Sequence, residues 1–246
     1  MPMIRAMRLL NAIEAGTTTG AQLQALLTAD PGRRAEFNVL LGMRGQMRRM
    51  AASSTAMTAV AASSTAMTAV AASSTAMTAV AASSTAMTAV WASNTATDAV
   101  FASATARLAV YNSDTALAAL QATPAQVQRK VTSGATNTST ASPSFIFVPN
   151  STKVILLRRY YGDTESDMID WARGSTSAEV GQGPAGGGRN LDTGAQALGC
   201  VSGSYTSNGL MPTTNDAAAN FVSAANGLQR RSWSNGKTLY VSYIVV

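Results

Sequence analysis

Hydrophobic and polar positions repeat with a period of ten between Ala51 and Leu120: the decapeptide AASSTAMTAV stands four times without change and is followed by WASNTATDAV, FASATARLAV and YNSDTALAAL. Across these seven copies the third, fifth, sixth and ninth places stay Ser, Thr, Ala and Ala, the second is Ala in all but one, and the tenth is Val or Leu. The first, fourth, seventh and eighth places vary. A strand alternates its faces with period two, yet the variable places fall at both parities. A helix with ten residues in three turns advances about 108° per residue and gathers the variable places between roughly 36° and 144°, with the constrained ones opposite. The decad contains no Gly, Pro or Asn-Gly to turn the corners of a β-solenoid. The pattern therefore predicts one long helical rod. Its constrained face is centred on Ala and too poor in apolar area to stand alone, so it is expected to be buried against parallel copies of the chain in a closed ring, and three is the expected number. Ala52, Ala56, Ala59, Val60, Ala76 and Ala79 are the expected trimer seam, and Met77, on the variable side, is expected to tolerate Gln. Ten residues per three turns also calls for a tightly wound left-handed supercoil, and at about 1.5 Å per residue the rod would reach about 100 Å. Two other readings are a disordered Ala/Ser/Thr tract and an ice-binding Thr face. The second fails because a period of ten rotates Thr by about 80° per repeat on a straight helix.

The flanks follow different patterns. Met3, Met7, Leu10 and Ile13 recur at helical spacing and stop at Gly16. Thr17 to Thr19 offers a cap for a second helix through Leu23, Leu26 and Leu27 that ends near Asp30 and Pro31, and a third carries Phe37, Leu40 and Leu41 toward the repeat. Residues 1–50 thus read as short helices that complete their core against partners. Pro124 is expected to end the rod, residues 124–143 to form a Ser/Thr-rich linker, and residues 144–246 to form a small β-rich, sandwich-like head. The head's strand signals are SFIFVP, TKVILLRRYY and, after Asn235-Gly236, KTLYVSYIVV, in which both faces carry apolar residues. A helix from Asn215 to Ala225 is expected between them. The fold class is thus mixed and elongated: N-terminal helices, a parallel trimeric coiled-coil shaft over 51–123, and a β-rich head.

Composition narrows the chemistry. The net charge is +6 with a pI near 9.9, but the excess is local, since residues 1–50 hold seven Arg against three acids and residues 131–246 hold eight basic and seven acidic groups. A solvated basic face or an acidic neighbour protein fits that distribution better than nucleic acid. With no His and one Cys, His-dependent catalysis, His metal sites and an internal disulfide are excluded; Cys200, in apolar company, reads as an inert buried thiol. No leader is expected, since Arg5 and Arg8 are followed by amphipathic sequence, and no run approaches the roughly 20 apolar residues of a membrane span. Asp163, Glu165, Asp167 and Asp170 do not match a calcium loop, and Pro184 interrupts the nominal GxGxxG of Gly181, Gly183 and Gly186. No cofactor, metal or catalytic residue is therefore expected. Tyr160, Tyr161, Trp171, Tyr205 and Trp233, with Arg158, Arg159 and Asn208, have the makings of a sugar platform. Within that set Tyr205, Asn208, Trp171, Asp170 and Arg173 are the expected receptor-binding residues, because their rings lie beside polar groups in turn-forming sequence.

The AASSTAMTAV decads, the preceding LLNAIEAG, AQLQALL and FNVLLG segments, and the terminal KVILLRRYYGDTESDMIDWARGS and WSNGKTLYVSYIVV resemble tail fibre proteins of tailed bacteriophages. The resemblance implies a homotrimer located in the virion, joined to tail or adaptor proteins through residues 1–50, whose head binds a bacterial surface glycan or outer-membrane protein without enzymatic activity. A purely structural tail or capsid decoration and a polysaccharide-degrading tailspike are the alternatives.

Overall fold

The computed structural model describes residues 2–140, 144–161, 168–171, 189–190, 220–231 and 239–246. They fall into two compact units, Met1–Gln126 and Val127–Val246. The described residues are mostly helical, with an antiparallel sheet in the second unit.

The decads do not form one helix. Each is a helix of its own: α5 (Ser54–Ala62), α6 (Ser64–Ala72), α7 (Ser74–Ala81), α8 (Ser84–Ala92), α9 (Asn94–Ala102), α10 (Ala104–Tyr111) and α11 (Asp114–Gln121), preceded by α4 (Arg44–Ala52). The break falls on the invariant third-place Ser, held extended at φ −100 and ψ 112 in Ser63, and the axes of α5 and α6 meet at 104°. Three such bends close a triangular coil, so each helix stacks on the one three places later: α4 on α7, α5 on α8, α6 on α9, α7 on α10 and α8 on α11. The first unit is an α-solenoid formed within a single chain, with about 8–10 Å between packed layers, and the expected rod of about 100 Å is replaced by a stack several times shorter.

Ser explains the break because it uses every polar group it has. The Ser83 amide donates to the Val80 carbonyl at 3.0 Å, and its carbonyl accepts the Met87 amide at 2.9 Å. Its Oγ accepts the Ala86 amide at 3.2 Å and donates to the Ala51 carbonyl, 32 residues back, at 2.7 Å. The residue ends one helix, caps the next and ties the coil to the one before it. The cross-coil bond recurs from Ser73 to Leu41, Ser93 to Ala61, Ser103 to Ala71 and Ser113 to Ala81. A continuous helix would forgo the capping and cross-coil bonds of each Ser Oγ and, to keep the decad in register, would have to wind tighter than its ordinary 3.6 residues per turn.

The buried face also differs from the expected one. The sixth, seventh, tenth and first places point inward: Ala56, Met57, Val60 and Ala61 are buried, as are Ala76, Met77, Val80 and Ala81. Ala59 and Ala79 lie at the edge of the core, and Ala52 is exposed. The expected seam of Ala56, Ala59, Val60, Ala76 and Ala79 is thus the chain's own interior, and Met77, expected on a tolerant side, is a core residue. The first place varies from Ala to Trp91, Phe101 and Tyr111 while staying buried.

Ahead of the decads, α1 (Pro2–Glu14) ends as its sequence predicts: the Gly16 amide bonds Ile13 O and the Thr17 amide bonds Ala12 O, with Gly16 at φ 72. Its buried stripe is Ala6, Leu9, Leu10 and Ile13, so the expected Leu10 and Ile13 belong to it while Met7 is half-buried and Met3 exposed. A capping box of Thr19 and Gln22 starts α2 (Gly20–Ala29), and Asp30 with Pro31 starts α3 (Pro31–Gly42). The apolar residues of this segment are consumed within the chain, since α2 packs on α5 and α6 and α3 packs on α1. Gly20 permits that approach: a Cβ there would lie 2.5 Å from Ala62 Cβ.

Pro124 opens a further helix, α12 (Pro124–Ser133), as a first-turn Pro can. Thr123 stands ten residues after Ser113, but its Oγ1 donates to the Ala119 carbonyl at 3.0 Å. Gln126 replaces the sixth-place Ala and donates to Asn94 Oδ1 at 2.8 Å.

In the second unit β1 (Thr136–Thr140), β2 (Ser144–Tyr161), β3 (Met168–Trp171), β4 (Arg189–Asn190), β5 (Asn220–Arg231) and β6 (Leu239–Val245) form one sheet in the order β1-β6-β2-β5-β3-β4. The expected linker over 124–143 instead supplies α12 and an edge strand, β1, paired with β6. Pro149 and Asn150 do not split β2; they fall in a register shift between Val148 and Lys153, where an unpaired amide costs nothing. Residues 220–225, expected to be helical, lie in β5, whose Val222 and Ala224 are buried with the period of a strand. In β6 Val241, Ser242, Tyr243 and Ile244 are all buried, as the two-sided apolar pattern implies.

Candidate interaction surfaces

The expected receptor residues are brought together only in part. Tyr205, Asn208 and Arg173 lie outside the described residues, as do Trp233, Cys200, Asp163, Glu165, Asp167 and the glycines from Gly181 to Gly186. Asp170 and Trp171 lie at the end of β3, with Asp170 opposite Gln229 of β5 and Arg189 of β4, and Trp171 opposite Asn190. On the other side of the sheet order, Tyr160 and Tyr161 of β2 stand opposite Tyr240 and Leu239 of β6. Burial pushes the Tyr243 hydroxyl above its ordinary pKa, as expected for a structural ring rather than a binding one.

The solenoid's outer surface is chemically plain. Its second, fourth and eighth places are exposed, for example Ala62, Ser64 and Thr68, and no charged residue occurs between Arg49 and Asp98. No single described helix is long and apolar enough to cross a membrane.

The N-terminal coil, by contrast, concentrates charge. Glu14 is bridged by Arg49, which also donates to Asn11 Oδ1 at 2.9 Å. Glu36, 7% exposed, is held by Arg33 at 3.0 Å and more loosely by Arg5 at 3.9 Å. Asp30 accepts the amides of Gly32 and Arg33, and Arg34 donates to the carbonyls of Leu27 and Thr28. Arg5, Arg8 and Arg33 line a half-open cleft of about 530 Å³ together with Asp30 and Glu36. Arg44 and Arg48 line a second groove, of about 290 Å³, against Ser74, Thr75 and Thr78 of α7. Sequence reading found the basic excess but not this division. The signal lay in the decad register, because Arg44 and Arg48 occupy the exposed fourth and eighth places of residues 41–50.

Comparison of the chain with family models and with curated proteins finds no match.

Proposed function

We propose that the chain is a fibre protein of a tailed-bacteriophage virion, in which the helical unit is a spacer joined to the tail through residues 1–50 and the strand-rich unit meets the bacterial surface. The observation that carries this reading is that the decads' invariant Ser and Ala are spent inside the chain, on caps, cross-coil bonds and close packing. What is repeated is therefore architecture: a stack, without charge from Met50 to Thr97, that sets a distance and presents no recurring chemistry. The resemblance of the flanking segments to tail fibres supplies the setting. The homotrimer it implies stays part of the proposal, with its contacts moved off the buried Ala face. Weak contacts from several heads would add through effective concentration. The ligand class is a surface glycan or outer-membrane protein, and no catalysis is proposed.

Adsorption of the purified full chain to host cells tests this. Tyr205→Ala and Asn208→Ala should each lower adsorption while thermal unfolding stays at the wild-type value. Normal adsorption by both variants would remove these residues from the binding surface and leave the head without an assigned role.

A further inference from the structure

Residues 1–97 contain seven arginines and three carboxylates, and all three carboxylates are already engaged, Glu14 by Arg49, Glu36 by Arg33 and Asp30 by two amides. Arg8 has no ion pair among the described residues, and Arg5 reaches Glu36 only at 3.9 Å. These two guanidinium groups stand one turn apart on α1 and line the same cleft of about 530 Å³. Ile4, one turn before Arg8 on the same stripe, is 48% exposed, and Met3 beside it is 59% exposed.

We propose that this cleft docks an acidic segment of a neighbouring protein, with a carboxylate spanning Arg5 and Arg8 and an adjacent aliphatic side chain covering Ile4 and Met3. The proposal rests on the reading of residues 1–50 as the attachment end and adds the chemistry of what is attached. Charge complementarity favours this occupant: a guanidinium pair prefers a carboxylate it can hold by two hydrogen bonds, and a cleft partly removed from water strengthens that contact. Glu36 already shows how the site holds a carboxylate between arginines of α1 and α3. Nucleic acid fits less well. Its phosphates need a long basic track, whereas this charge is confined to residues 1–49 and followed by sequence with no charged residue before Asp98, and a phosphate backbone would leave Ile4 and Met3 in water.

The test is fluorescence anisotropy of the full chain with a labelled synthetic peptide of alternating Glu and Leu, beside its Gln counterpart and a DNA duplex, all at low salt. The acidic peptide should bind, and Arg8→Glu should weaken it by about tenfold or more. Ile4→Ala should weaken it about threefold in a salt-independent way, and Arg44→Glu should leave it unchanged. Circular dichroism melting should be the same for all variants, since Arg8, Ile4 and Arg44 are exposed. Equal binding of the Gln peptide, equal loss with Arg44→Glu, or tighter binding of the duplex would overturn the proposal. Failure of the attachment reading itself would show elsewhere, as normal incorporation into particles of a chain with Arg5, Arg8, Arg44 and Arg48 all changed to Glu.

Discussion

The four identical decads and the three that follow build the same core from different side chains. In the identical copies the first place is Ala and the seventh is Met, both buried. In the later copies the first place is Trp91, Phe101 and Tyr111 and the seventh is Thr97, Arg107 and Leu117. Two hydrogen bonds tie the seventh position of one helix to the end of the helix before it: Thr97 Oγ1 donates to the carbonyl of Val90, the residue before Trp91, at 3.3 Å, and Arg107 Nη1 donates to the carbonyl of first-place Phe101 at 2.6 Å. In the Trp91 copy the first place has grown as the seventh has shrunk to Thr97, whereas Arg107 and Leu117 keep a large seventh side chain beside Phe101 and Tyr111. The rings also gain contacts of their own, Trp91 stacking on Phe101 at 5.6 Å and donating to the Ala116 carbonyl at 3.2 Å. Variation at a place is therefore no sign that the place is on the surface; in a close-packed core it can mark a compensated pair.

The largest expected effect breaks such a pair. Trp91→Ala should cost about 3–5 kcal/mol in urea unfolding, from lost burial and the cavity left behind. Adding Thr97→Met recreates the Ala and Met of an ordinary decad and should return about 1–2 kcal/mol of that loss. A double variant no more stable than Trp91→Ala would refute the pairing. Within the identical copies Met77→Gln should cost about 2–3 kcal/mol, because the amide enters an apolar interior without a partner. A melt indistinguishable from wild type would put the seventh place back on the surface.

Much of this was legible, and its failures have physical causes. The helical character of the decad and the importance of its Ser, Ala and Val or Leu places followed from the repeat alone. The break did not, because a Ser every ten residues fits one side of a continuous helix as well as it fits the cap it makes. Treating the period as a supercoil then joined Ala52, which is exposed, to Ala56, which is buried, in one seam. The first fifty residues were legible down to single caps, Gly16, Thr19 and Asp30, since local hydrogen bonding decides those. Their destination was hidden, because whether Leu23 and Leu27 meet a partner or α5 is a long-range matter. Residues 220–225 misled in the opposite direction: an Ala-rich run behind Asn215 favours helix locally, and pairing with β2 overrides it. Of the candidate site, sequence located the basic excess but not the cleft that gathers Arg5, Arg8 and Arg33.

Ser and its neighbour sharpen the comparison at a smaller scale. Ser83→Ala removes a helix cap and strands the Ala51 carbonyl, for about 2 kcal/mol together. Ser84→Ala, one residue on and exposed, should stay within about 0.5 kcal/mol. Equal melting temperatures for the two variants would mean that the cross-coil bond contributes nothing to stability.

The smallest effect on stability should come from the largest change in sequence. Deleting residues 71–80 leaves the core composition almost unchanged, because each later Ser then finds the first-place carbonyl of the decad one step earlier, and a nearest-neighbour stack is indifferent to which copy supplies it. What changes is direction. α2, α5, α8 and α11 form one edge of the stack, so removing one decad carries α11 to a neighbouring edge, whereas removing residues 61–90 returns it to its own edge one layer of about 8–10 Å closer. Spin labels on the exposed residues Ala21 and Ala118 read this as a distance. The three-decad deletion should shorten it by about one layer, and the one-decad deletion should give a distance off that series. A distance that fell in equal steps with every decad removed would describe a straight rod, and the three-helix coil would be wrong.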